Sequence, residues 1–113
     1  MLVLAAGLGG CGDGQPTSPG VVADDCLKSV SLASLPQAIR ACDAVVRTYP
    51  RNPLPLRDRA LLLSLDGNEA KACRDLHRAR ELVSAQPLTT TSRRLLADLL
   101  VSLRGCPSQD GQP

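Results

Sequence analysis

Two stretches of this chain repeat one another at a distance of 34 residues. One is QAIRACDAVVRTYPRN (37–52); the other is AKACRDLHRARELVSA (70–85), preceded by RALLLSLDGN (59–68). Ala38 and Ala72, Cys42 and Leu76, and Val45 and Ala79 are the matched positions. A fixed period near 34 is the mark of a stacked helix-turn-helix unit. The available side chains agree. There is no Phe or Trp and a single Tyr, so a core must come from Leu, Ala and Val. Ala and Leu are among the best helix formers, and strands favour the aromatic and β-branched residues that are scarce here.

The spacing of apolar and capping residues predicts an all-α domain at 22–106, with about five helices in a short array of antiparallel hairpins. Helix one covers about 22–31. Helix two covers about 35–49, opened by Ser34 and Gln37 at capping-box spacing with Pro36 in its first turn. Helix three covers about 53–66, with Pro53 and Pro55 at its start. Helix four covers about 69–84, with Gly67 closing the helix before it and Asn68 as its cap. Helix five covers about 91–104; Thr and Ser precede it, and Gly105 and Pro107 follow. The flanks, 12–20 (GDGQPTSPG) and 107–113 (PSQDGQP), are poor in apolar residues and read as flexible.

The residues of this pattern resemble a tetratricopeptide repeat. Small side chains stand where two helices of such a hairpin cross closely: Ala60 on one, Ala72 and Ala79 on the other. Arg59-Ala60, Gly67, Ala72, Asp75 and Ala79 are similar to a common subtype of that repeat, and Pro50 and Asn52 fall where its second helix ends. The likeness covers roughly residues 36–85. Arg94 departs from it, standing where a small residue is expected, and helix five reads as a terminal cap. Arg and Asp recur together in the subtype, which implies an ion pair between Arg59 and Asp75. The resemblance also implies a groove lined from the first helix of each unit: Arg57, Leu61, Ser64 and Leu65, with Leu95 and Asp98 from the last helix.

The first eleven residues, MLVLAAGLGGC, are an apolar run too short to span a bilayer but of the length of a signal-peptide core. Leu8-Gly9-Gly10-Cys11 resembles the bacterial lipobox. That implies a signal peptide at 1–10, lipidation of Cys11 and a tether over 11–21. Such leaders open with a positive charge and none precedes Cys11, so the expected start lies further upstream. Gly12 after the cysteine, in place of Asp, points to the outer membrane.

Setting Cys11 aside leaves four cysteines for what would be an oxidising compartment. Four cysteines allow three pairings. In an antiparallel hairpin, residues equidistant from the turn face each other. Cys26 and Cys42 each stand eight residues from Ser34, and Cys73 and Cys106 lie at the ends of helices four and five that a turn near Thr89 brings together. The expected disulfides are Cys26–Cys42 and Cys73–Cys106; the competing reading is four free cysteines packed as small apolar residues.

Catalytic chemistry finds little support. His77, the single histidine, lies one turn after Cys73, but no third residue marks a dyad to be oriented. No C-x-x-C pair, phosphate loop or nucleophile elbow is present. No catalytic residue, metal or cofactor is expected. A net charge of +2 and the lack of aromatic stacking residues argue against nucleic acid. Arg74-Asp75, Arg78 and Arg80-Glu81 read as a solvated helix face with ion pairs at helical spacing, the alternative being a patch for an acidic partner. The expected function is a lipid-anchored, periplasm-facing envelope module that binds another envelope protein or peptide. The alternative is a structural subunit of an envelope complex with no separate groove.

Overall fold

A computed structural model describes residues 21–107 except residue 29. The chain makes two 3-10 turns, Asp25–Leu27 and Leu32–Ser34, and then four α-helices: α1 (Leu35–Thr48), α2 (Pro53–Leu65), α3 (Glu69–Ser84) and α4 (Thr90–Leu103). There is no strand among the described residues. The all-helical expectation holds, but among the described residues the α-helices number four, not five.

The expected first helix, 22–31, is the difference, and local chemistry explains it. The Asp25 carboxylate accepts the Val22 backbone N–H at 2.7 Å, closing a tight turn that competes with a helical ladder. That hydrogen bond is also the first cause holding the Asp25 carboxyl below its usual range. A ten-residue helix is marginal on its own, and Val22 and Val30 are β-branched. Only the short 3-10 turn around Cys26 remains.

Elsewhere the helix ends follow from particular side chains. Asn52 caps α2 by accepting from the Leu54 N–H at 3.0 Å. Gly67 adopts φ +83°, a left-handed turn that a side chain would strain, and Asn68 then caps α3 through the Lys71 N–H. Thr89 and Ser92 form a reciprocal capping box at the start of α4. The box expected at Ser34 and Gln37 does not form: Ser34 makes no side-chain cap. The chain enters α1 directly from a 3-10 turn, and the Ser34 N–H is already bonded to the Ser31 carbonyl at 3.0 Å.

Connections at 49–52, 66–68 and 85–89 turn each helix back on its predecessor. The most extensive contact is α2 on α3; α1 packs on α2, and α4 on α3. The core has two lobes. Leu56, Ala60, Leu63, Ala72, Leu76, Ala79, Val83 and Leu99 make the larger one. Cys26, Leu35, Cys42, Val45 and Leu62 make the smaller, and Ile39 and Val46 pack against both. Ala72 and Ala79 are 1% and 0% exposed, so the close α2–α3 approach depends on side chains no larger than a methyl. Val21, expected at the end of the tether, belongs to the fold: its carbonyl accepts the Tyr49 hydroxyl at 2.8 Å. Pro107, expected in the tail, has its carbonyl 3.3 Å from His77 Nε2.

Both expected disulfides are present. Cys26–Cys42 (Cα–Cα 4.6 Å) folds the N-terminal turn onto α1, and Cys73–Cys106 (Cα–Cα 5.7 Å) ties the chain beyond α4 to α3. The Cys42 sulfur also lies 3.6 Å from the Pro55 carbonyl, seating the first bridge against the start of α2. The second bridge closes the longer loop and stabilises by about 4 kcal/mol in the chain-entropy account, against about 3 kcal/mol for the first. Replacing Cys73 and Cys106 together by serine is therefore expected to lower stability by about 3–4 kcal/mol in urea unfolding. A loss below about 1 kcal/mol would show that α4 is held by packing alone.

Candidate functional site

Helical geometry places Arg57, Leu61 and Ser64 on one face of α2, four and then three residues apart. Opposite them α4 presents Asp98, Val101 and Ser102. Between the two faces runs a cleft of ≈ 490 Å³, floored by Ala60 and Leu76. Leu27, from the N-terminal turn, closes one side. Four of the six residues expected in a groove therefore meet here: Arg57, Leu61, Ser64 and Asp98.

The other two do not line it. Leu65 lies a further residue round α2 from Ser64 and is 52% exposed at the helix end. Leu95 turns partly into the core and borders a second cleft of ≈ 430 Å³ near the start of α4, which Arg57 and Asp98 also reach. Conversely, Val101 and Leu27 were not expected. Val101 follows from Asp98 by one helical step, so the signal for it was present in the sequence. Leu27 belongs to the segment read as a helix, and only the disulfide-held turn brings it to the cleft.

Arg57 is the polar centre of the cleft. Its Nε and Nη2 donate to Asp58 Oδ1 at 3.1 and 2.9 Å, and its Nη1 stands 3.7 Å from Asp98 Oδ2 across the cleft. Asp58 is 4% exposed. Burial pushes its carboxyl above the ordinary value, and the Arg57 hydrogen bond opposes that rise. At the other end the Ser64 hydroxyl donates to Glu69 Oε1 at 3.2 Å. The apolar walls are open to solvent: Leu61 is 50% and Val101 58% exposed.

A second charged group lies in the junction of α1, α2 and α3. Arg59 donates from Nε and Nη2 to the two oxygens of Asp75, at 2.7 and 2.8 Å. The same guanidinium donates from Nη1 to Asp43 Oδ1 at 3.0 Å. Arg59 and Asp75 thus meet as the sequence implied, and Asp43 is the added partner. Asp43 and Asp75 each stand 16 residues from Arg59. Each is therefore as far from its turn, near 51 or near 67, as Arg59 is. The hairpin rule that pairs the cysteines would have found it. Asp75 belongs to this junction and is buried, which corrects its reading as part of a solvated face. Arg78 and Glu81 do form an exposed pair at 3.2 Å.

His77 is 7% exposed and its Nδ1 has no hydrogen-bond partner. Cys73, its neighbour one turn back, is bonded to Cys106; its sulfur is a disulfide and not a thiolate nucleophile. No cluster of three potential metal ligands occurs among the described residues, and none of their helices is long and apolar enough to cross a membrane. Cys11 lies outside the described residues. Comparison with known families, curated proteins and solved structures finds no match.

Two measurements probe these charges. Arg59 and Asp75 side chains are 23% and 10% exposed. Arg59→Ala leaves Asp75 stranded and is expected to cost about 2–3 kcal/mol. Asp43→Ala, at the more open end of the junction, is expected to cost less than about 1 kcal/mol. Equal losses in urea titrations would mean that Asp75 is not the principal partner. For Asp58, the folded carboxyl holds its proton to higher pH than the unfolded one. Its contribution is therefore favourable at low pH and is lost as pH rises from 3.8 through the raised folded value. Asp58→Asn removes this titration, so its stability relative to the parent chain should rise as pH climbs from about 4 toward neutrality. A constant difference across that range would contradict it.

Proposed function

We propose that this chain is a lipid-anchored cell-envelope protein whose helices serve as a protein–protein interaction or assembly module. Its hairpins stack in the manner of tetratricopeptide repeats, and the partner is another envelope protein or peptide. The observation that carries the reading is the α2–α4 cleft, lined by Arg57, Leu61, Ser64 and Asp98 and walled by solvent-open apolar side chains. Contiguous exposed apolar surface between polar rims is the character of a binding groove. The α2–α3 crossing at Ala60, Ala72 and Ala79 and the Arg59–Asp75 pair support the repeat. Two disulfides support an oxidising compartment, and the tether of Gly, Pro, Ser and Gln after Cys11 supports an anchored domain.

The test uses the full-length protein in a bacterial envelope, with a photo-crosslinking residue in place of Leu61. A discrete crosslinked partner that disappears with Leu61→Glu supports the module. Cys11→Ala should release the protein from membranes, since each acyl chain contributes about 0.8 kcal/mol per buried CH₂. Retention of the Cys11→Ala variant on membranes refutes the anchor. An obligate oligomer whose own interface fills the cleft replaces the module with the structural-subunit reading.

A further inference from the structure

The charges inside the cleft are opposite in balance to those of the domain around it. The described residues carry thirteen Lys and Arg against nine Asp and Glu. The cleft lining carries three carboxylates, Asp58, Glu69 and Asp98, and one cation, Arg57. That cation is already engaged. Two of its nitrogens donate to Asp58 and the third faces Asp98, so its charge is already shared between two carboxylates of the cleft. Asp98 is the reverse case. Its side chain is 65% exposed, and its contact with Arg57 is long at 3.7 Å, so it has unspent acceptor capacity toward a second cation. Glu69 is likewise exposed at the far end of the strip. The same cleft presents the exposed apolar side chains of Leu61, Val101 and Leu27.

We propose that the α2–α4 cleft takes a peptide segment in which apolar side chains are flanked by lysine or arginine, and that it rejects acidic segments. The inference rests on the reading of the chain as an interaction module and adds the chemistry of its partner. Apolar side chains of the segment cover Leu61 and Val101, while its cations meet Asp98 and Glu69. Complementary charge of this kind sets specificity more than affinity. The acidic cleft works against the long-range field of the domain, which is basic and attracts acidic peptides. A preference for the basic peptide is thus a property of the cleft and not of the bulk charge.

Two fluorescent peptides of twelve residues, with the same leucine pattern and either lysine or glutamate at every polar position, are titrated with the disulfide-bonded protein at near-physiological salt. The lysine peptide is expected to bind at least about tenfold more tightly, a difference of about 1.4 kcal/mol. Asp98→Lys is expected to weaken it about tenfold, whereas Glu81→Lys, an equal charge change on the exposed face of α3, should alter it by less than about twofold. Matching melting curves for the two variants exclude unfolding as the cause. Equal or tighter binding of the glutamate peptide overturns the inference. So does binding of neither peptide, or an Asp98→Lys effect no larger than that of Glu81→Lys. If any of these occurs while the Leu61 crosslink persists, the interaction module stands and only the basic partner falls. Loss of the crosslink as well removes both.

Discussion

The Arg59 guanidinium joins three helices at one point. It makes two parallel hydrogen bonds to Asp75 on α3 and a third to Asp43 on α1, from its own place on α2. Helices whose buried apolar core is Leu, Val, Ala and Cys, with no Phe or Trp, keep some freedom to slide on one another. A planar ion with fixed donor directions removes that freedom, because a shift of one residue in either hairpin breaks the fork. Arg59 is set to this task by its neighbour Ala60, 2% exposed, which lets the backbones approach. The cost of burying the charge is offset by three charge-assisted bonds, and the first of its causes, the Asp75 hydrogen bond, holds Arg59 firmly protonated.

The rest of the fold compensates for a thin core. Leu, Ala, Val and Ile supply almost all of its apolar contacts, and a chain of this size buries too little surface to be robust on packing alone. The two disulfides act at opposite ends of the array. One turns a segment that cannot hold a helix into a lid over α1 and the start of α2. The other anchors the last helix, whose one fully buried side chain is Leu99. The alanines at the α2–α3 crossing do the converse job of removing bulk. Close approach, cross-linking and a single directed ion network together define the array where large side chains do not.

The cleft is a by-product of that arrangement. Because α2 and α4 both pack on α3, they stand side by side with Ala60 and Leu76 beneath them. Leu61 and Val101 remain open because no further helix among the described residues covers them. Arg57 then bridges the two walls, held by a buried carboxylate on its own helix and an exposed one on the other. The polar end of the cleft is thereby fixed in place, while its apolar walls stay available.

Much of this was legible in the chain itself. The 34-residue period, the absence of Phe and Trp, and caps at Asn52, Gly67, Asn68 and Thr89 determined four helices to within a residue or two, because these signals act locally. Both disulfides were legible too, since antiparallel hairpins bring together residues equidistant from a turn, and the Arg59–Asp75 pair was legible through the likeness of its residues to the repeat. Tertiary structure alone decided the remainder. The sequence reads residues 22–31 as a helix, and only the Asp25 turn and the link to Cys42 leave a 3-10 turn at Asp25–Leu27 that delivers Leu27 to the cleft. Leu65 and Leu95 left the site because helix rotation and crossing, which depend on which small side chains meet, choose the face each helix presents. The burial of Asp58, and hence its raised pKa, came from the same source: a sequence states that a carboxylate follows Arg57, but the packing of α2 decides that it is shut away from water.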